Sequence, residues 1–492
     1  MISTFGTYSI SQSGMRASQA ALTASSNNLA NVNTNGASRV RVANRDTSVT
    51  QTDGTTRSSG VDVASITRAR DALLDAAYRT ENSDYSHWAV KNGNLEYMQK
   101  LLGEFDADDG TSSDGLQELI NKFFSRWDTL SGGADNRTSR QAVTDAAAKL
   151  LKGMSEVDEQ LKELQQDAVS GVTDGVDSLN TLAEQVAGLN QRISAAEVNG
   201  SEASYLRDQR DALIDQMSSL ADVRVNEANG VFTVTIGGAT LVDGATTRKL
   251  TVEGSGTESD PLSLKWADTG KGAVISSGSI AAYLEDANQT GYENIDGSSL
   301  RYDFTAGSIS SITNLRQALN DLVTTIAQEV NSLHTSGSDL KGNAGLPFFT
   351  SIDSSQPLSI DNIQVNPALL DDPDLVVTAA AGAKSGDNSI SDAIYGLSEK
   401  NIFKFNGLAM NPANFYKTVV SWVGTLGDNA NNSYETQEAL VNQVDNQRQS
   451  ISSISLDEEM SNLIKYQNAY SANARVLSTI DGLIGDLLDT VD

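Results

Sequence analysis

The sequence predicts a mainly α chain with an inserted β-rich domain: paired N- and C-terminal coiled-coil helices, a bundle of long helices, and an outer β/irregular domain. Three observations predict it. Apolar residues recur every seven positions at both ends of the 492-residue chain. All six prolines lie between Pro261 and Pro412, so the flanks are free of the residue that breaks helices. Between Val223 and Ile275 the apolar period shortens to two, which marks strands.

At the N-terminus, Met1, Tyr8, Met15, Leu22 and Leu29 form one heptad column among Ala, Ser, Thr and Gln. At the C-terminus, Leu463, Tyr470, Leu477, Ile484 and Val491 form a second. Tyr466, Ile480 and Leu487 lie three positions on, with Asn473 interrupting their row. A seven-residue repeat gives a narrow seam and a left-handed supercoil, and neither seam is satisfied in water without a partner helix. Residues 1–45 carry Arg16, Arg39, Arg41 and Arg45 and no acid, a sum of +4; residues 455–492 carry seven acids against Lys465 and Arg475, a sum of −5. Opposite charge favours pairing one end with the other, although screened surface pairs add little energy. The pair either closes an ordinary bundle or forms an assembly surface. Small hydroxyl and amide residues expected on the outer faces (Ser11, Ser18, Ser25, Asn27, Asn28, Asn31) favour the second.

Between the ends, helical spacing runs through residues 64–105 (Leu74, Tyr78, Trp88, Leu95, Met98, Leu102, Phe105), Leu116–Leu130, Arg140–Leu164, Val176–Ala196 and Tyr205–Leu220. It resumes at Leu315–Leu333 and Glu435–Ile451. The stretch from Val223 to Ile236 alternates around Asn229-Gly230, a hairpin signal. Leu241–Val242, Leu250–Val252, Leu262–Trp266 and Val274–Ile275 are further short strand candidates. The expected organisation is therefore a terminal coiled-coil assembly domain of residues 1–39 and 455–492, and a helical bundle of 40–221 and 305–454. A β-rich outer domain of 222–304 is inserted between its halves; residues 340–425 are an irregular part of the bundle or a second insertion.

Composition removes whole function classes. With 64 acidic and 35 basic side chains the net charge is −29, a poor match to nucleic acid or an anionic membrane. No segment reaches the length of apolar residues that crosses a bilayer, and the first residues lack the pattern of a cleaved Sec signal. Zero cysteines and only two histidines, His87 and His334, leave no thiolate chemistry and no histidine-rich metal site. No Gly-x-Ser-x-Gly elbow or phosphate-binding loop occurs, so no catalytic residue, cofactor or metal is expected. Asp106, Asp108, Asp109 and Gly110 do not fit a calcium-loop spacing and read as a solvated turn. Asp208 and Asp211 around Arg210 read as helix-surface pairs, His87 as an exposed helical position, and His334 as satisfying a helix end.

The stretches SSNNLANVNTNGASR (Ser25–Arg39) and LDEEMSNLIKYQNAYSANARVLSTIDGLIGDLL (Leu456–Leu488) resemble the two ends of the bacterial flagellar rod, hook and hook-associated axial proteins. YLRDQRDALIDQMSSL (Tyr205–Leu220), GVFTVTIGGATLVDG (Gly230–Gly244) and VNSLHTSGSDLKGNAGLPFF (Val330–Phe349) are similar to the hook-associated branch, which stands at the hook–filament junction. One departure is Asn35-Gly36-Ala37-Ser38-Arg39-Val40, where that family usually has Pro-Gly-Tyr-Ser-Arg-Gln. The resemblance implies a structural component of the flagellum, connecting hook to filament and needed for filament assembly and motility. It implies a ring of copies with hook protein below, a second junction protein above and an export chaperone, and type III export without a cleaved signal to an extracellular place on the flagellum. Polymer contacts are then expected at Tyr8, Met15, Leu22, Asn27, Asn28, Leu29 and Asn31, and at Leu463, Tyr466, Tyr470, Leu477, Ile480, Ile484 and Leu487. The alternatives are another axial protein (hook or flagellin-like), or a flagellum-borne peptidoglycan hydrolase or adhesin.

Overall fold

The computed structural model describes residues 4–34, 36–50, 56–103, 115–199, 202–228, 230–257, 259–288, 311–384, 386–405 and 407–489. Met1, Val491 and the acidic turn at Asp106–Gly110 lie outside them, as does the side chain of Leu487. Helix α1 (Thr4–Ala30) opens the chain and α11 (Leu456–Asp489) ends the described part, and the two pack along each other.

Residues 40–68, expected to begin the helical bundle, instead form a long antiparallel hairpin of β1 (Val40–Thr50) and β2 (Thr56–Arg68), with irregularities at Ala43/Asn44 and Thr47/Ser48. The reason is local. Val and Thr recur in both arms, with Ile66 in the second, and branched side chains suit a pleated surface better than a helix. A two-stranded ribbon is marginal alone, and this one leans on α1. The Val61 N–H donates to Ser13 Oγ at 3.1 Å, and Gly60, at φ +127°, leaves the space that Ser13 occupies.

Helix α2 (Ala72–Leu101) starts at Asp71, whose carboxylate accepts from the Leu73 and Leu74 N–H groups at 2.8 and 3.3 Å, the expected N-cap arrangement. After α3 (Leu116–Ser131) comes α4 (Arg137–Ala196), one helix of 60 residues rather than the two the sequence suggested. The gap between the two expected helices holds Gly171 and Gly175, and glycine is unfavourable inside a helix. Both are packing notches here. A Cβ at Gly171 would lie 2.8 Å from the Tyr283 ring, and one at Gly175 2.7 Å from Ile280.

After α5 (Ser204–Leu220), the strands β3 (Val223–Ala228), β4 (Val231–Ile236), β5 (Ala239–Asp243) and β6 (Thr246–Thr247) form a four-stranded meander. A separate hairpin pairs β7 (Leu250–Glu253) with β8 (Ser263–Trp266). Val223 pairs with Ile236 and Ala228 with Val231 across Gly230, the register that the alternation implies. The stretch Val274–Ile275 is not a strand; Ile275 is buried in coil leading to α6 (Ser279–Ala287). This sheet, α5, α6 and the second half of α4 share one core.

Helix α7 (Ser311–Ser336) and the short helices α8 (Pro367–Asp371) and α9 (Ser389–Gly396) precede α10 (Pro412–Ser452), which begins well before the expected Glu435. Pro412 sits at its first position and Asn411 caps it, accepting from the Asn414 N–H at 2.9 Å, a place where proline is favourable. The irregular region around α8 and α9 adds Phe348, Phe349, Val377, Ile394 and Phe403 to the core formed by α3, α4, α7 and α10.

Both histidines differ from the sequence reading. His87 is half-buried, 4.0 Å from Glu285, not exposed, because α6 packs against α2 there. His334 is fully buried between Trp127 and Phe348. Its Nε2 accepts the Val377 N–H at 2.9 Å, so Nδ1 carries the proton and donates to the Leu346 carbonyl. It therefore stitches the region after α7 to the core rather than finishing that helix. Burial, helped by the Arg140 charge and opposed by the Leu346 bond, pushes its pKa down to about 4.

The unfolded chain thus takes up a proton near pH 6.5 that the folded chain refuses, and stability falls as pH drops from there towards 4. Urea unfolding at pH 7 and pH 5 is expected to differ by about 2 kcal/mol from this group. That difference should vanish in His334→Gln.

Candidate assembly site

The terminal pair is built from small residues. On α1 the buried stripe is Ser11, Ala17, Ser18, Ala21, Ala24, Ser25 and Asn28. Ser11, Ser18, Ser25 and Asn28 therefore face inward, contrary to the expectation that they form an outer face; Asn27 is exposed and Asn31 half-buried. Small side chains let two helix backbones approach closely. At Gly14 the approach is closest: a Cβ there would lie 2.9 Å from the Asn473 amide. The asparagine that interrupts the C-terminal row is thus accommodated by a glycine on the facing helix.

The heptad columns flank this stripe. Tyr8, Met15, Leu22 and Leu29 are half-buried, as are Leu463, Tyr466, Tyr470, Leu477 and Ile484; Ile480 is buried. The pair leaves more apolar surface outside. Leu456, Met460, Ile464, Val476 and Leu483 on α11 are between 42 and 59 % exposed. Singly exposed apolar residues are ordinary; here five large ones lie on one helix.

The base of the pair is held by polar contacts. The Asn28 Nδ2 donates to the Val40 carbonyl and its Oδ1 accepts the Val40 N–H, both at 2.9 Å. Asn28 thereby extends α1 into the hairpin as a strand neighbour would. The Asn31 amide donates to the Asn27 carbonyl at 2.9 Å and closes the helix end. Ser38 donates through its N–H and Oγ to Asp208 at 2.9 and 2.7 Å. Arg39 donates its N–H to the Ser452 carbonyl at 2.9 Å, and its guanidinium reaches Glu458 at 2.6 Å and Glu459 at 2.8 Å. The opposite charges of the two ends meet at this point.

Beneath lies a buried charge cluster that the sequence reading missed. Asp208, Asp211 and Asp215 project from α5 at i, i+3 and i+7, the spacing of one helix face. Arg68 binds Glu202 at 2.9 Å and both Asp208 and Asp211 at 2.8 Å. Arg70 meets Asp211 at 2.9 Å, and Arg79 meets Asp215 at 2.8 Å and Asp211 at 3.4 Å. Arg448 from α10 reaches Asp215 at 2.6 Å and stacks over Tyr78. Asp208 and Asp211 are buried, not the surface pairs expected around Arg210. The available signal was that acidic stripe, with the Arg68-Ala69-Arg70 run to complement it. Burial alone would raise the Asp211 pKa, but the charges of Arg68, Arg70 and Arg79 outweigh it and hold the carboxyl below the usual range. Burial wins at Asp75, whose carboxyl is pushed up against Arg70 and Arg79.

Among the described residues no group of three acidic or histidine side chains is placed to hold a metal, and no helix is long and apolar enough to cross a membrane. The arrangement is suited to holding helices in a fixed relation.

Comparison with known proteins follows the same lines. Residues 99–349, just over half of the chain, match the family described as the flagellar hook-associated protein FlgK helical domain. Residues 446–490 match the C-terminal family of flagellar basal body rod FlgEFG proteins. Flagellar hook-associated protein 1 of Bacillus subtilis is 26 % identical over 99 % of both chains. That of Salmonella typhimurium is 27 % identical over 97 % of this chain and 98 % of its own. A solved structure titled the flagellar hook junction protein FlgK from Burkholderia pseudomallei superimposes with a TM-score of 0.61 at 15 % identity. It covers 77 % of this chain and 100 % of its own, a likeness of fold.

Asp211→Ala would remove the carboxylate that three buried guanidiniums share: Arg68 keeps Glu202 and Asp208 and Arg79 keeps Asp215, but Arg70 is left with Asp75 at 3.8 Å. The substitution is expected to cost about 3–5 kcal/mol in urea unfolding at pH 7. Arg45→Ala, which breaks the exposed Arg45–Asp62 pair, should cost no more than about 1 kcal/mol. Because the Asp211 pKa is depressed in the fold, its contribution is present above about pH 4 and is lost as pH falls through the folded value.

Proposed function

Because this chain belongs to the flagellar hook-associated protein family defined by the FlgK helical domain, we propose that it forms the junction connecting hook to filament. The role is structural and not enzymatic, and its place is the flagellum. One observation carries the assembly reading: α1 and α11 pack through small residues while large apolar side chains of α11 stay exposed. Covering them removes apolar area from water at about 25 cal/mol per Å². A surface of that kind, on a chain whose net charge of −29 keeps free copies apart, suits a subunit that is soluble alone and adhesive once docked.

On this reading the terminal unit of residues 1–39 and 455–492 carries polymer contacts, through the heptad columns and the exposed residues of α11. The helical unit sets stiffness and spacing, and the β-rich unit faces outward. Copies form a ring that meets hook protein below and a second junction protein above. One face must differ from the other, so the contacts are heterologous. The chain reaches its extracellular place by the flagellar export route, with a chaperone and without a cleaved signal. The absence of cysteine cross-links suits a chain that passes through unfolded.

A strain deleted for this chain is expected to carry hooks without filaments and to shed flagellin into the medium. The full chain should restore filaments, and a chain lacking residues 455–492 should not. Restoration by the shortened chain would overturn the reading.

A further inference from the structure

A cleft of about 1170 Å³ lies where the end of α1 meets the corner of α4 and α5. Its apolar wall includes Val40, Leu189, Leu213 and Ile454. Three small residues, Gly36, Ala37 and Gly188, keep it open. Gly36 has φ +80° and needs to be glycine. Gly188 does not. It sits inside a helix, where glycine is unfavourable, and nothing lies within 4 Å of where its Cβ would be. Gly153, Gly171 and Gly175 of the same helix each receive a side chain of this chain: Leu119, Tyr283 and Ile280. The space at Gly188 serves no such internal contact. Arg192 lines the cleft, is exposed, and has no ion-pair partner among the described residues.

The complementary surface is on α11. Leu456, Met460 and Ile464, four residues apart, form an apolar stripe 49, 49 and 59 % exposed. Asp457 flanks that stripe, exposed and without an ion-pair partner among the described residues, whereas Glu458 and Glu459 are both taken by Arg39. We propose that the cleft beside Gly188 receives the first turns of α11 from a second copy of this chain, with Asp457 of that copy meeting Arg192. Leu456, Met460 and Ile464 then lose water against the apolar wall, and an acid beside the stripe and a base of the cleft, each without an ion-pair partner among the described residues, face each other. Each copy gives the stripe and receives it at a different place, so the contact is heterologous and repeats from subunit to subunit. This rests on the assembly reading above and names a contact within it.

The chain contains no cysteine, so an introduced pair reports alone. Gly188→Cys and Met460→Cys chains are co-expressed in cells lacking the native chain, and isolated flagella are treated with a short bis-maleimide. Open space at Gly188 and the half-exposed Met460 make both substitutions mild. A cross-linked pair is expected in flagella holding both chains, and not with either chain alone or with purified monomer. Adding Arg192→Glu to the Gly188→Cys chain should cut the yield about fivefold. Adding Asp457→Arg to the Met460→Cys chain should restore it. No cross-link in flagella that carry normal filaments would overturn the contact while leaving the junction role standing. Absence of both chains from the flagella would take down both.

Discussion

The carboxylate of Asp211 is the fixed point of the molecule. Three guanidiniums converge on it, from the segment leaving the hairpin and from α2, and Asp215 one turn on draws in a fourth from α10. These groups come from parts of the chain up to 380 residues apart, Arg68 and Arg448 being the extremes. Buried ion pairs add little net energy over well-packed apolar residues, but a half-made cluster is costly. The cluster therefore acts as a specification. The observed arrangement of hairpin, α2, α5 and α10 brings these guanidiniums and carboxylates within reach of one another. Ser38 and Arg39 then seat the terminal pair on that arrangement.

The two ends of the structure use opposite packing chemistry. The bundle is filled with large rigid groups such as Trp127, Phe123, Phe348 and Phe415, fully buried and in ring contact. The terminal pair is filled with alanine, serine and glycine, and keeps its leucines and tyrosines at the margin. A core of the first kind is stable by itself. A seam of the second kind brings backbones together but removes little apolar area from water. Its stability has to come from elsewhere, which is why the polar base matters.

Much of this was legible in the residues. Proline placement outlined the helical flanks, and Asn229-Gly230 located the hairpin of β3 and β4 with its register. The terminal columns identified the right helices, but the seam falls three positions on along α1. Counting large apolar residues points to Tyr8 and Leu22, whereas close approach selects Ser11, Ser18 and Ser25. The hairpin at 40–68 was missed because its partner surface on α1 is polar and leaves no clean alternation. The continuity of α4 was missed because glycine is unfavourable inside a helix, and the Tyr283 ring that fills its notch is known only from the fold. The charge cluster was hidden because burial is a property of the fold, and Asp211 in sequence looks like any acid on a wet helix.

Helix α1 finds its mate only in the final thirty-odd described residues of the chain. Contacts so distant in sequence form late, since the intervening chain must close first. During synthesis the leading helix thus stays single for as long as the tail has not been made. The terminal pair is completed last, and timing is written into the order of the segments that form it.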